Sequence, residues 1–241
     1  VLSQLPTLVQ LNLSGNQLEQ CLDYSLVRCD QDNAWAQGDT SVGSQLTNAD
    51  LSHNRICSLG RSLAAHPFLE VLLLSHNNIE SVSGLSSLAL LRVLDLSHNK
   101  LTSTAGLENL QCSELSLGYN SIADMRGLET CSKLSSLDVR GNKVRTLAAL
   151  QQCTQLMWLD LRDNCVQHLR QCSFLRELQW LSTLLLVGNP CSSKQLYRRK
   201  VVRHLPALRK LDESEVTPEE RIETGACVRV CVCLSVYSVH V

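Results

Sequence analysis

The sequence predicts an α/β repeat solenoid: a curved parallel sheet on the concave face, short helices or 3₁₀ turns on the convex face, and a C-terminal cap. Three observations predict it. The pattern Leu-x-x-Leu-x-Leu-x-x-Asn-x-Leu recurs from residue 8 to residue 191. Its asparagines, Asn16, Asn54, Asn77, Asn99, Asn120, Asn142, Asn164 and Asn189, follow one another at steps of 38, 23, 22, 21, 22, 22 and 25. Near-constant periods of about 20–30 residues mark stacked repeats. Leucine supplies 47 of 241 residues against 2 Phe, 3 Trp and 4 Tyr, a core that points away from sandwiches, barrels and most enzyme folds.

The array occupies residues 1–188. Its full copies read LVQLNLSGNQL at 8–18, LTNADLSHNRI at 46–56, LEVLLLSHNNI at 69–79 and LRVLDLSHNKL at 91–101. They continue as CSELSLGYNSI at 112–122, LSSLDVRGNKV at 134–144, LMWLDLRDNCV at 156–166 and LSTLLLVGNPC at 181–191. In each unit Leu-x-Leu alternation gives a short strand with one buried face. The Asn then turns the chain, and its amide satisfies backbone groups left open there. The remaining half-unit, as in SVSGLSSLALL at 81–91, spaces Leu85, Leu88 and Leu91 by three, which suits a short helix or 3₁₀ stretch. One unit cannot bury its apolar face alone; stacked units share a core.

The first step of 38 exceeds one period, and the surplus lies in a polar stretch at about 20–45. It reads as a loop bulging from the array, as a loop offering Trp35 to a partner, or as a gene-prediction error. Residues 189–221 read as the cap, because the last leucine layer needs a polar-faced cover. Residues 222–241 are expected to form no domain. The end of that tail, ACVRVCVCLSVYSVHV, has the alternation of a strand and too few ligands for a zinc site. It also matches what a TG dinucleotide tract encodes, so the main expectation is translation into non-coding sequence.

These units resemble the leucine-rich repeat superfamily in its short intracellular class of about 22 residues. That class includes the protein phosphatase-1 regulatory repeat protein and the outer-arm dynein leucine-rich light chain. The resemblance covers residues 1–221. The cap strengthens it: Asn189, Pro190, Tyr197, Arg198, Val201, Leu205, Pro206, Leu208, Leu211, Asp212, Val216, Thr217, Glu220 and Arg221 match the cap pattern of intracellular arrays. The resemblance implies partners such as a phosphatase catalytic subunit, dynein or tubulin-related machinery, or a centrosomal or ciliary assembly.

Composition narrows the function classes. With 22 basic and 23 acidic residues the net charge is −1, so no overall basic excess recruits nucleic acid or an acidic membrane. No apolar run is long enough to span a bilayer. The start VLSQLPTLVQ has neither Met nor a secretory signal, so it is expected to lie inside a longer protein. Cysteines spread one or two per unit, such as Cys57, Cys112, Cys131, Cys153, Cys165 and Cys172, suit free buried thiols in a reducing compartment. The expected location is the cytoplasm, with the nucleus, cilium or centrosome as alternatives.

No hydrolase, nucleotide-binding, metalloprotease or kinase signature occurs, so the chain is expected to be non-enzymatic, with no cofactor and no metal. His53, His76 and His98 recur at one position of the unit, and strands about 4.8 Å apart could bring their rings to one zinc ion. No carboxylate stands at a defined spacing to support that, and a solvated turn ladder is the preferred reading. Asn12-Leu-Ser14 matches a glycosylation sequon but lies on a repeat strand. Seven Lys or Arg between Lys194 and Lys210 read as the wet side of the cap, with a nuclear localisation signal at Arg198–Lys200 or an acidic dock as alternatives.

Binding is expected on the concave strand face, where side chains form columns. One column runs Asn12, Asp50, Leu73, Asp95, Ser116, Asp138, Asp160 and Leu185. The other runs Gln10, Asn48, Val71, Val93, Glu114, Ser136, Trp158 and Thr183. The candidate contacts are Asp50, Val71, Leu73, Val93, Asp95, Asp138, Trp158, Asp160 and Leu185, flanked by Tyr119, Arg140 and Arg162. Apolar anchors ringed by charge suit a protein partner. Trp158 is the expected anchor, and the competing reading makes the aspartates hydrogen-bond partners of neighbouring strands. The expected molecule is a monomeric scaffold or adaptor; the alternative is the targeting module of a larger enzyme or of a cytoskeletal or ciliary protein.

Overall fold

Each repeat contributes one three-residue strand, and the middle residue of that strand turns inward. The computed structural model describes residues 7–22, 45–59 and 62–225. The strands are β1 (Gln10–Asn12), β2 (Asn48–Asp50), β3 (Val71–Leu73), β4 (Val93–Asp95), β5 (Glu114–Ser116), β6 (Ser136–Asp138), β7 (Trp158–Asp160) and β8 (Thr183–Leu185). They pair in chain order and in parallel, template position against template position, with no slip in register. A slip of one residue would turn Leu72, Leu94, Leu115, Leu137, Leu159 and Leu184 outward. All six are buried, and burying each leucine contributes about 1.5–3 kcal/mol.

The asparagines join consecutive units. Asn142 is typical: Nδ2 donates to the Leu117, Val139 and Arg140 carbonyls, and Oδ1 accepts the Ile122 amide of the preceding unit. On the convex side, 3₁₀ segments cover Ser62–Ala65, Leu85–Ser87, Leu128–Thr130, Ala148–Gln152 and Leu169–Leu175. Their inward residues, such as Leu85, Leu128, Leu150 and Cys172, close the core.

The cap adds more sheet than the sequence suggested. β9 (Lys210–Leu211) continues the parallel order beside β8, and β10 (Ser214–Glu215) then runs antiparallel to β9. Helix α1 (Tyr197–His204) buries Val201 and Val202. Helix α2 (Pro218–Thr224) starts in a reciprocal capping box between Thr217 and Glu220, so helical structure runs three residues past the expected cap boundary at 221.

Arg198 sits inside this cap and is not a free cation. It pairs with Glu220 and donates to the Leu211 and Glu215 carbonyls, and Arg199 donates to the Glu223 carbonyl. Within the Arg198–Lys200 run, Arg198 is thus fixed by a carboxylate and two carbonyls as part of the fold. Asp212 ties the cap to the array, accepting the Leu186 and Val187 amides on Oδ1 and the Tyr197 hydroxyl on Oδ2.

Among the described residues Cys57, Cys112, Cys131, Cys153, Cys165, Cys172 and Cys191 are free thiols. Burial pushes the thiols of Cys112, Cys153 and Cys172 up to about 12, so these groups are poor nucleophiles. Most of the 20–45 stretch, Trp35 included, and residues 226–241 lie outside the described residues. No helix of the described residues is long and apolar enough to cross a membrane.

Candidate concave binding face

Position in the unit decides which side chains reach the concave surface. In register, Val71, Val93, Glu114, Ser136 and Trp158 form one row, and Leu73, Asp95, Ser116, Asp138 and Asp160 form the next. Val71, Leu73, Val93, Trp158 and Leu185 are half-buried there, as are Asp50, Asp95 and Asp138.

The aspartates have a structural duty that spacing alone left open. Asp50 Oδ1 accepts the Ser52 amide, Asp95 that of Ser97, Asp138 that of Arg140 and Asp160 that of Arg162, at 2.9–3.0 Å. Asn12 does the same for Ser14. Each carboxylate therefore ends its own strand, in the manner of an Asx turn. Among the described residues of this column, the competing pairing with a neighbouring strand occurs between Asn12 Nδ2 and Asp50, at 3.4 Å.

Asp160 departs furthest from expectation. It is 0% exposed, beneath Arg162, whose Nε and Nη2 grip both carboxylate oxygens at 2.6–3.0 Å. It therefore supports the surface from below and is not a contact on it. That grip raises the guanidinium's pKa. Asp138 is less tightly held: Arg140 Nε approaches Oδ2 at 3.3 Å, and burial lifts the Asp138 carboxyl above its ordinary value.

Beside these rows runs a ladder of rings. Every unit places the residue before its asparagine at positive φ: Gly15, His53, His76, His98, Tyr119, Gly141, Asp163 and Gly188. His and Asp are among the side chains that tolerate this region best. The His53, His76 and His98 rings stack at centroid spacings of 4.2 and 4.0 Å, and Tyr119 continues the stack at 4.4 Å. Imidazole lone pairs lie in the ring planes, so parallel rings do not converge on one ion. No metal-binding group of His, Cys, Asp or Glu occurs among the described residues. Burial, then His98 and His53, lower the pKa of His76.

Tyr119, 43% exposed, ends the ladder with Arg140 over its far face, 5.1 Å from the ring centroid. Gly141 makes room for it, since a Cβ there would stand 2.7 Å from the ring. Tyr119, Arg140 and Arg162 thus lie beside the strand rows, and the two arginines are committed to partners within the chain.

A depression opens between Leu73 and Val93 on one side and Trp158 on the other, floored by Ser116 and Ser136 and edged by Asp95, Glu114 and Asp138. Glu114, Ser116 and Ser136 were not among the candidate contacts, although their columns contained them. The two serines are short where their row neighbours are long, and that contrast was the available signal.

Comparison with known proteins agrees with this architecture. The family described as Leucine-rich repeat matches residues 92–230, and that described as Leucine Rich repeats (2 copies) matches residues 67–109. A curated relative, dynein axonemal assembly factor 11 of Homo sapiens, is 51% identical over 43 residues, which are 18% of this chain and 9% of that protein. Two solved structures share the fold, both from Listeria monocytogenes. One internalin has a TM-score of 0.54 at 18% identity, with 75% of this chain and 65% of that one covered. An internalin C2 has a TM-score of 0.59 at 24% identity, with 77% and 74% covered. The chain thus spans a small part of the curated relative's length and about two thirds of the first internalin's.

Proposed function

Because the chain belongs to the leucine-rich repeat family, whose arrays generally serve as protein–protein interaction modules, we propose that it is a non-enzymatic, monomeric scaffold or adaptor holding one partner protein on its concave strand face. The observation that carries this reading is the depression bounded by Val93 and Trp158. It combines half-buried apolar walls with carboxylates at the rim, the make-up of an interface anchor site.

Paired measurements test it. Truncating a hot-spot tryptophan costs about 2 kcal/mol or more of binding, so Trp158→Ala should weaken partner capture at least roughly thirtyfold and leave the melting curve nearly unchanged. Leu159→Ala should do the reverse, costing about 2–5 kcal/mol of stability by opening a core cavity. A Trp158→Ala protein that unfolds, or that retains every partner of the wild type, sinks the concave-face reading.

The match to dynein axonemal assembly factor 11 favours a more specific second reading, in which the array is a targeting module in a cytoplasmic cytoskeletal or ciliary assembly. Co-sedimentation of the tagged protein with dynein subunits from ciliated-cell extract is the expected result. Fractionation free of dynein would remove this reading and leave the scaffold reading standing.

A further inference from the structure

We propose that the gap between Glu114 and Trp158 is an arginine-binding site, which takes one guanidinium from a basic segment of the partner protein. The inference rests on the concave-face reading and specifies the chemistry of its occupant.

The first support is the balance of charge on the face. Over β1–β8 the strand columns and their flanks carry Glu70, Asp50, Asp95, Glu114, Asp138 and Asp160 against Arg92, Arg140 and Arg162, and the cations Arg209 and Lys210 follow at the β9 end. Arg92, Arg140 and Arg162 are ion-paired, with Glu70, Asp138 and Asp160 respectively. Among the described residues Asp50, Asp95 and Glu114 have no ion-pair partner. Asp95 uses Oδ1 on the Ser97 amide, and the Glu114 side chain is exposed and makes no hydrogen bond or ion pair among the described residues. The face therefore attracts cations and repels phosphates, which disfavours nucleic acid and anionic lipid.

The second support is shape. Ser136 separates Glu114 from Trp158 in one row, two strand steps or about 9.6 Å apart. A guanidinium within about 6 Å of an aromatic centroid, donating to a carboxylate at about 2.8 Å, spans that gap over the serine hydroxyl. Its aliphatic stem would lie along the apolar side of the depression. Lysine lacks the flat surface that stacks on an indole and the fork that engages a carboxylate through two bonds.

The third support is a precedent within the chain. Arg140 lies over the Tyr119 ring at 5.1 Å while it faces Asp138 at 3.3 Å. A cation held between a ring and a carboxylate is thus already used beside this site, with both partners supplied in cis.

The test selects a random twelve-residue peptide library, displayed on phage, against the immobilised full chain. Selected peptides are synthesised with arginine or with citrulline, its neutral isostere, and titrated by fluorescence anisotropy. We expect the selected peptides to share an arginine, and its replacement by citrulline to weaken binding at least tenfold. Glu114→Gln and Asp95→Asn should each weaken the arginine peptide at least fivefold and leave the citrulline peptide unaffected. Asp95→Asn keeps the turn, as Asn12 does in the first repeat. Peptides that need Trp158 but carry no essential arginine, or that bind equally with citrulline, overturn the inference and spare the concave-face reading. Peptides indifferent to Trp158→Ala, or no selected binder at all, overturn both.

Discussion

Replacing Asn142 with alanine removes four hydrogen bonds, and their partners differ in what they lose. The Leu117, Val139 and Arg140 carbonyls each keep another donor: Asn120 Nδ2, Asn164 Nδ2 and the Tyr119 amide. The Ile122 amide has Asn142 Oδ1 as its acceptor, at 2.9 Å in buried surroundings. Stranding a buried donor costs about 1–3 kcal/mol, and each lost carbonyl bond a further ~0.5–1 kcal/mol. The sum is about 2.5–6 kcal/mol. Asn16, at the same position of the first repeat, is the control. Its Nδ2 donates to the Leu13 and Ser14 carbonyls, and no amide of an earlier described repeat leans on its Oδ1. Asn16→Ala should therefore cost about 1 kcal/mol or less, because partly exposed carbonyls can turn to water. Equilibrium urea unfolding of both variants measures the difference as a shift in midpoint at constant slope. Equal losses, or a loss below about 1 kcal/mol for Asn142→Ala, would refute the view that these amides join one unit to the next.

Three further outcomes follow from the same geometry. Burial holds the imidazolium of His66 below its ordinary value of 6.5, against an opposing backbone bond to Leu22. The unfolded chain then binds protons more readily, so stability is full above about pH 6.5 and declines as pH falls. Melting curves at pH 7.5 and 5.5 should differ more for the wild type than for His66→Gln; an unchanged difference removes His66 as a source. Gly141→Ala puts a methyl 2.7 Å from the Tyr119 ring at φ +63°, whereas Gly15→Ala at φ +71° meets nothing within 4 Å. Both pay about 1–2 kcal/mol for the left-handed backbone, and only Gly141→Ala should cost more and shift the Tyr119 ring resonances. Asp212→Ala should cost about 2–4 kcal/mol, since it releases two amides and a hydroxyl, with faster amide exchange at Leu186 and Val187 as the local signature.

The sequence made the array legible because its signal repeats: eight asparagines and the leucines around them point to one geometry, and the register of every strand pair follows. The concave columns were legible for the same reason. What the columns could not convey is which side chains on them are free. Asp95 and Asp160 hold identical template positions, yet Arg162 covers one carboxylate while Ser97 leaves the other open. That difference lies in the residue two places on, and single-column reading passes over it. The left-handed position had a signal in Gly15, Gly141 and Gly188, but histidines and a tyrosine in the same column hid it. Strands β9 and β10 carry too few residues to show periodicity, and Arg198 reads as part of a basic run until Glu220, twenty-two residues later, comes to lie beside it.

The reversal of strand direction at β10 has a consequence for solubility. A parallel sheet built from short leucine-rich strands offers its last strand as a template for the next, and an unguarded edge of that kind recruits other chains. Here the last strand among the described residues is two residues long, and its Glu215 side chain is exposed. The Glu215 carbonyl, to which an incoming strand would bond, already accepts from Arg198. Pro218, at the head of α2, brings no amide to that edge. The motif that shields the last leucine layer thus also removes this edge as a seed for aggregation, so losing the Arg198–Glu220 pair would show first as assembly of the folded protein during storage and only later as lost stability.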